Sequence, residues 1–559
     1  MNLMDGLTFE QQASRNFLLQ RCTFQRHPIQ EERKKERILY VSLLNRLVRS
    51  QLDPDSELTA CLQHLLQVLD VSAEEMKAEE TAIPKGLKKL ASVFWHGGFS
   101  FGLKNYQALC LVESVCLVGL AAHDSKEKMQ AVLADFCKTG KIAETLQQSL
   151  TDYFNHLFTV TVMTPGKELA ASASYLDFMY GRLFRYRELP RYHVAICATM
   201  SAGKSTFINS LLGSDYIPSG NEACTAKITS IADNDIFPEL LGCCREKEVL
   251  HPPVTPVTNE VLQIWNMNED IAHVFLEGDL QGVGSEQTVL VVHDTPGTNS
   301  SENPLHHQRT MDFLKHHLLQ TIIYLLNAEH ISTSDNKTLL LEIKHNVLDV
   351  VPQTHIVFLV NKVDSFDLES GDDLTQTLDD ACQDLEKLGF KEPQVIPVMA
   401  YAARLFKMAL MGQENRFTRK EKLEFADFFE RCLEENLDLT KYQCHIDLPG
   451  QAPTASGSVI IGKHTYDKGK IAEALRCTGI CSVADLLDEA VHHYQPEDKP
   501  LSPAEVLQQQ KDGALSEEEK ELLADLNRWE QENIDEPLSE EQEMADLLAD
   551  LDQWEENNS

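Results

Sequence analysis

The sequence predicts an α/β fold in which a mainly parallel sheet is flanked by a helical N-terminal domain and by C-terminal helices. Up to residue 188, apolar residues recur at intervals of three and four, as they do on helices that bury one face. From Tyr192 onward, short runs of consecutive apolar residues alternate with helical or loop segments. This alternation is typical of parallel strands that are covered on both faces.

The composition of the 559 residues excludes several classes of protein. Hydrophobic residues make up 43% of the chain, enough to fill real cores and to exclude wholesale disorder. The net charge of −37 argues against binding nucleic acid or anionic lipid through overall charge, although a local basic patch stays open. No secretory signal precedes the fold, so we expect a cytoplasmic protein whose fourteen cysteines remain thiols. Residues 108–122 are apolar but contain Glu113, which predicts a buried helix rather than a membrane span.

The helical region should end shortly before the first strand. An amphipathic helix is predicted over residues 168–189, and Pro190 should end it, because proline cannot continue the backbone ladder and restricts the residue before it. We therefore assign residues 1–188 to a helical domain that resembles a bundle or stalk.

The sheet domain should follow directly. Its predicted strands share an unbroken apolar run and cover residues 193–198, 288–292, 321–326 and 355–360. We assign residues 189–410 to the core of this domain and residues 411–496 to its remainder, where helices return and a hairpin is inserted at 450–466. Residues 497–559 form an acidic tail.

A phosphate-binding loop is predicted between the first strand and the next helix. Residues 198–206 read A-T-M-S-A-G-K-S-T, and Ala198 stands where such loops usually have their first glycine. Inward-turned amides and the positive end of the helix form an anion site, Lys204 reaches the terminal phosphates, and Ser205 offers its hydroxyl to Mg²⁺. The residues of this loop that we assign to nucleotide binding are Ala202, Gly203, Lys204, Ser205 and Thr206.

Three further segments follow in the order that a guanine-nucleotide fold requires. The sequence D-T-P-G ends a strand, so that Asp294 would lie at a water-bridged Mg²⁺ and the Gly297 amide would meet the γ-phosphate. The sequence N-K-V-D ends the next strand but one, and its Asp364 can accept two hydrogen bonds from guanine that adenine cannot donate. These segments together predict a P-loop GTPase domain that selects GTP over ATP.

The remaining residues of the base site have supporting roles. Asn361 would tie its loop to the phosphate loop, and the stem of Lys362 would cover the base. A further strand closes near Pro397, after which the amide of Ala400 or Tyr401 can meet the guanine carbonyl.

The segment between the phosphate loop and Asp294 contains a candidate switch residue. Thr225 would place its hydroxyl on Mg²⁺ and its backbone near the γ-phosphate; it lies in P-S-G-N-E-A-C-T-A and is 69 residues from Asp294. Together with three other segments, this pattern resembles the dynamin superfamily of large GTPases. The other segments are T-M-S-A-G-K-S-T, D-T-P-G-T-N with a downstream histidine, and Y-L-L-N-A-E-H-I-S-T-S-D before N-K-V-D. The likeness is strongest to bacterial dynamin-like proteins and covers about residues 170–490. Small Ras-like GTPases have a much shorter distance between the two switches.

The resemblance implies hydrolysis of GTP to GDP that depends on self-association. In this family G domains pair across the nucleotide face, and a serine of the phosphate loop helps to hold a monovalent cation, K⁺ or Na⁺; Ser201 matches that serine. Eukaryotic dynamins place a glutamine before it to orient the attacking water, whereas this chain has Met200, so we expect slow basal turnover. The catalytic residues implied are Ser201, Lys204, Thr225 and Gly297, and the metal ligands are Ser205, Thr225 and Asp294.

Two other features have open interpretations. His306, His307, His316 and His317 follow the D-T-P-G segment, where a catalytic histidine is one interpretation and a solvated helix is the favoured one. In the tail, L-L-A-D-L-N-R-W-E at 522–530 is repeated almost identically at 547–555. Each copy would be a short amphipathic helix that folds on a protein partner; the alternative is a solubilising acidic extension.

The leading hypothesis is therefore an assembly-stimulated GTPase, with peripheral contact to a membrane as a further expectation. The alternative is a nucleotide-gated scaffold that hydrolyses GTP negligibly and recruits a partner through its duplicated tail helices. Eukaryotic dynamins carry a lipid-binding element after the G domain, whereas mostly acidic residues follow His493 in this sequence. This difference and Met200 favour the alternative, whereas Ser201 and the full set of guanine motifs favour the enzyme.

Overall fold

The N-terminal region is helical, as its apolar periodicity predicts. A computed structural model describes residues 13, 17–52, 56–82, 106–122, 124–140, 142–159, 163–218, 227–235, 239–247, 249–284, 287–297, 304–331, 333–366, 373–434, 437–496 and 502–507. The helices of this region are α1 (Lys34–Arg49), α2 (Ser56–Val68), α3 (Ala73–Ala82), α4 (Gln107–Ala121), α5 (Lys126–Gly140), α6 (Glu144–His156), α7 (Ala173–Leu176) and α8 (Arg182–Glu188).

Helix α4 is the centre of the N-terminal core. Every residue from Ala108 to Leu120 is buried, including Glu113, so the predicted buried helix is confirmed. The helix that precedes the sheet is shorter than predicted, because the residues before Ala173 close turns such as Ser172 N to Leu169 O (2.8 Å). A π-helical turn at Asp177–Gly181 joins α7 to α8, which ends before Pro190.

The second region is built on a nine-stranded sheet. Its strands are β1 (Arg191–Ala198), β2 (Ile228–Asp233), β3 (Leu241–Glu246), β4 (Val249–Leu250), β5 (Ile271–Gly278), β6 (Val289–Asp294), β7 (Thr321–Asn327), β8 (His355–Asn361) and β9 (Val395–Val398). Their order is β4-β3-β5-β2-β6-β1-β7-β8-β9. The five strands from β6 to β9 in this order are all parallel, as predicted, whereas β2 runs antiparallel to β6 and β3 antiparallel to β5.

Helices cover both faces of the sheet and extend the domain beyond β9. They are α9 (Lys204–Leu212), α10 (Asn259–Met267), α11 (Pro304–His316), α12 (Ser334–Ile343), α13 (Leu374–Lys387), α14 (Ala400–Leu410), α15 (Arg419–Leu433), α16 (Lys468–Cys477) and α17 (Ile480–His493). The predicted hairpin is formed by β10 (Ser458–Ile461) and β11 (His464–Asp467).

The two regions have separate cores and a small shared one. The larger core extends from Tyr192 to Val491 and the N-terminal core from Leu18 to Phe184. A third group of apolar side chains packs Phe17 and Tyr186 on β2, β3, β5 and β6, and Arg21 forms a fully buried ion pair with Glu277 of β5. The N-terminal segment therefore packs directly on the antiparallel part of the sheet, while the domain limits given above stay predictions.

Two smaller sequence predictions can be compared with the structure, and a further feature lies at the start of the tail. The cysteines that the structure describes, Cys477 and Cys481 among them, are all free. None of the described helices has the length and apolar character needed to cross a bilayer. Ser502 and Glu505 form the reciprocal hydrogen bonds of a capping box, whereas the tail repeats that follow lie outside the described residues.

Candidate functional site

The predicted nucleotide-binding segments meet at one edge of the sheet. Strands β1, β6, β8 and β9 are parallel members of the same sheet, so their carboxyl ends lie on the same side. The phosphate loop follows β1, Asp294 ends β6, Asn361 ends β8, and Ala400 begins the helix after β9. Ligands of open α/β sheets bind at this edge.

The phosphate loop has a left-handed backbone conformation at Gly203, which glycine adopts easily. Gly203 has a φ of +89°, and a Cβ atom there would lie 2.4 Å from Nδ2 of Asn361, so a larger residue would push this side chain away. Ser201 is exposed and also left-handed, with φ +64°. Helix α9 starts at Lys204, which places its free amides and positive dipole end at the loop.

Lys204 and Asp294 form a buried ion pair at the centre of the site. The ammonium of Lys204 donates to Oδ1 of Asp294, and the two residues are 7% and 0% exposed. Oδ2 of Asp294 is buried and has no hydrogen-bond partner among the residues that the structure describes. Burial raises the pKa of Asp294, and the charge of Lys204 opposes that rise. A buried oxygen with free lone pairs fits a metal-bound water, and Ser205 in the first turn of α9 is half-buried beside the paired Lys204.

The D-T-P-G segment is held against the phosphate loop. The hydroxyl of Thr295 donates to the carbonyl of Ile196 in β1 (2.8 Å), and the hydroxyl of Thr310 donates to the carbonyl of Pro296 (3.1 Å). The Cβ position of Gly297 lies 3.6 Å from Cα of Met200. Gly297 and Met200 are therefore neighbours at the mouth of the site.

Asn361 connects three of the loops. Its Nδ2 donates to the carbonyl of Ala202 (2.9 Å), and its Oδ1 accepts from the amide of Ala400 (3.2 Å). Because the Ala400 amide is used in this way, Tyr401 is the better candidate of the two for the guanine carbonyl. Lys362 adopts a left-handed backbone with φ +67° and begins the short 3₁₀ turn that carries Asp364.

Arg431 is a site residue that the sequence analysis missed. From α15 it donates to the carbonyl oxygens of Asp364 (2.8 Å) and Phe366 (3.0 Å). Burial raises the pKa of Asp364, while the positive charge of Arg431 opposes that rise. A contact across 67 residues leaves no local pattern in the sequence, so no signal pointed to it.

A second missed residue is Lys227, which follows the candidate switch. Its side chain is buried, and its ammonium has no hydrogen-bond partner in the described part of the chain. Burial lowers the pKa of Lys227, and the charge of Arg309 lowers it further. Since Thr229 pairs with Asp294 across antiparallel strands, Lys227 lies toward the nucleotide edge of the sheet.

The histidines in and after α11 agree with the solvated-helix interpretation only in part. His316 is exposed and His307 bonds to Glu342 (2.7 Å), as that interpretation predicts. His306 is buried instead, because its face of α11 lies against the domain, and burial lowers its pKa together with the charges of Arg309 and Lys204. His317 stacks on Phe313 with ring centroids 3.9 Å apart.

Thr225 lies outside the described residues, so its predicted role on Mg²⁺ stays a prediction. The same holds for Ser219 to Cys224 of the switch segment. Residues on both sides of this gap, Pro218 and Lys227, belong to the described fold.

Comparison with known proteins finds one family model that matches the central part of the chain. Residues 194–363 match the family model described as Dynamin family. A comparison with curated proteins finds no match.

Similar solved structures include two of an oligomerised bacterial dynamin pair associated with long-range sensing and tethering of membranes. One is 15% identical with a TM-score of 0.32, covering 73% of this chain and 74% of the other. The second is 16% identical with a TM-score of 0.31, covering 73% and 69%. A complex of Era with MgGDPNP and 16S ribosomal RNA is 16% identical with a TM-score of 0.21, covering 38% and 52%.

Proposed function

We propose that this chain is a GTPase of the dynamin type that binds GTP with Mg²⁺ and hydrolyses it at a rate that self-association increases. The match of residues 194–363 to the Dynamin family model supports this proposal. The observation that carries the proposal is the bonding of Asn361 to both Ala202 and Ala400, beside the buried pair of Lys204 and Asp294. Four segments that are distant in sequence thus meet at one edge of the sheet, where the phosphate loop would hold the phosphates and the Asp364 loop would hold the base.

The residues of the pocket divide the work of binding and positioning. Amides of the phosphate loop at Ala202 to Thr206 hold phosphate oxygens, and Lys204 exchanges its bond to Asp294 for the terminal phosphates. Asp294, Ser205 and Thr225 would hold Mg²⁺, which supplies charge neutralisation on the phosphates when bound. Asp364 accepts from guanine.

Self-association would supply what the site lacks in a single chain, namely a way to orient the attacking water. Gly297 presents its amide to the γ-phosphate, and Ser201, exposed at the rim, would help to hold K⁺ or Na⁺ near the transferred phosphoryl group. Pairing of two GTPase domains would exclude water from this rim and fix the attacking water, a role that the thioether of Met200 cannot perform.

A second candidate function rests on Met200. If pairing does not supply the missing water-orienting group, the chain is a nucleotide-gated scaffold that holds GTP and recruits a protein through the tail helices. Peripheral membrane contact is compatible with both functions and stays a prediction.

The two functions differ in how turnover depends on protein concentration. We expect GTP turnover per molecule to rise steeply with concentration in K⁺ buffer, and Ser201→Ala to flatten this rise without changing GTP affinity. Lys463→Ala, which removes an exposed lysine at the tip of the hairpin, is the matched control. Turnover that stays near zero at all concentrations, with and without liposomes, would favour the scaffold.

A further inference from the structure

Three aspartates come together at the edge of the sheet opposite the nucleotide site. Asp233 ends β2, and its register partner Gly278 ends the parallel strand β5, directly before Asp279. Oxygens of Asp233, Asp235 and Asp279, hereafter the aspartate cluster, lie within 4.8 Å of one another. Because β2 runs antiparallel to β6, its carboxyl end points away from Asp294, so this cluster is separate from the predicted Mg²⁺ site.

Asp233 has an unused oxygen in a fully buried position. The residue is 0% exposed, and its Oδ1 accepts from the amide of Leu280 (2.8 Å). Its Oδ2 is buried and has no hydrogen-bond partner in the described part of the chain. A buried carboxylate oxygen is stable only when a hydrogen bond, a proton or a cation compensates for lost hydration.

Two basic side chains near the cluster donate their hydrogen bonds to other groups, although burial raises the pKa of Asp279 and the charge of Lys407 opposes that rise. Lys407 is buried, and its ammonium donates to the carbonyl oxygens of Gln281 (3.0 Å) and Leu211 (3.4 Å). Arg21 pairs with Glu277, whose Oε1 also accepts from Asn234. Burial raises the pKa of Asp233, and the negative charges of Asp235 and Asp279 raise it further. The three carboxylates therefore destabilise one another when no cation lies between them.

We propose that the aspartate cluster binds a hard divalent cation of the Ca²⁺ or Mg²⁺ class. Carboxylate oxygens are the ligands that these ions prefer, and the exposed side of Asp235 leaves room for water to complete the coordination shell. The carbonyl of Asp233 accepts from the hydroxyl of Tyr186 in α8 (2.8 Å). The bound ion would fix the place where the helix leading into β1 meets the sheet.

Cation titration of the full-length, nucleotide-free protein tests this site. After treatment with a chelator, addition of Ca²⁺ or of Mg²⁺ should give a saturable rise in the unfolding temperature and a one-site calorimetric isotherm. Asp233→Asn should raise the unfolding temperature of the metal-free protein, because it removes like-charge repulsion, and should abolish the response to the cation. Asp279→Asn, at a half-buried position, should abolish the response even if Asp233→Asn does not fold.

The controls separate this site from other acidic groups. Asp312→Asn, an exposed carboxylate of α11, should retain the full response. A response that persists in Asp233→Asn and Asp279→Asn would place cation binding elsewhere, for example on the acidic tail, and would overturn the proposal. No response in the parent protein, together with stabilisation by Asp233→Asn, would show that a proton fills the cluster and would overturn it equally. Because no nucleotide is present, these outcomes are independent of GTP binding.

Discussion

Glu113 and Asp294 are both completely buried carboxylates, one in the core of the N-terminal helices and one at the nucleotide site, but their hydrogen bonding differs. Glu113 uses both oxygens twice: Tyr175 (2.7 Å) and Tyr180 (2.9 Å) donate to one, and His27 (3.1 Å) and Tyr40 bond to the other. Lys204 donates to one oxygen of Asp294, and within the described ranges no group bonds to the other oxygen.

This difference in hydrogen bonding is what we expect between a carboxylate with a structural role and one that binds a ligand. Burial alone would raise the pKa of Glu113, but His27 and the tyrosines hold it below its ordinary value, whereas the pKa of Asp294 stays raised. A fully bonded carboxylate gains nothing from a further ligand. One with a free buried oxygen does, and Asp233 belongs to this second kind.

The largest expected effect is the loss of nucleotide binding on removing Lys204. Lys204→Ala leaves the phosphates without their cation and Asp294 without its partner, so we expect GTP affinity to fall at least about thirtyfold, from the roughly 2–5 kcal/mol that truncating one member of a buried charge pair typically costs. Calorimetry with GTP measures this, with Lys463→Ala as control. Unchanged affinity would mean that the pocket is not the nucleotide site.

A smaller effect, on stability alone, is expected at Glu113. Glu113→Gln should lower the free energy of unfolding by about 2–3 kcal/mol at pH 7, because hydrogen bonds to a buried charge are lost and a donor is left unpaired. GTP affinity should not change. Thermal unfolding measures the difference, with the exposed Asp135→Asn of α5 as control.

The same variant has a pH signature. Because the folded pKa of Glu113 is lower than the unfolded value of about 4.3, its contribution is fully present above that value and is lost as the pH falls through the folded pKa. The difference in the free energy of unfolding between the parent protein and Glu113→Gln should therefore become smaller at acidic pH. A difference that is constant with pH would show that the carboxylate charge does not contribute.

The sequence predicts features that depend on neighbouring residues better than features that depend on contacts between distant segments. The strands from β6 to β9 in sheet order and the loops at their ends follow from continuous apolar runs and short motifs. Strands β2 and β5 were missed because they contain polar residues that bond to one another or to a neighbouring residue, such as Ser230 with His273 (2.7 Å) and Glu277 with Asn234 directly after β2, and hydropathy does not show such pairs. Strand β4 is only two residues long. The bonds of Asn361 to Ala400 and of Arg431 to the base loop depend on folding of distant segments.

The smallest expected effect concerns Arg431, which donates two hydrogen bonds to backbone carbonyls of the base loop. Arg431→Met keeps much of the side-chain stem but removes both donors to the carbonyls of Asp364 and Phe366, so GTP affinity should fall about tenfold, the equivalent of about 1.4 kcal/mol. The preference of this variant for GTP over xanthosine triphosphate should stay the same, because the Asp364 carboxylate can still accept hydrogen bonds from guanine. Asp364→Asn should instead shift that preference toward xanthosine triphosphate.

Competition of the two nucleotides against a fluorescent GDP analogue separates positioning from recognition. Arg419→Met, an exposed arginine at the start of the same helix, should match the parent protein in both measurements. If Arg431→Met changed base preference as strongly as Asp364→Asn, Arg431 would set the position of the Asp364 carboxylate itself. The carbonyl contacts would then be part of base recognition, and α15 would belong to the nucleotide site rather than to its support.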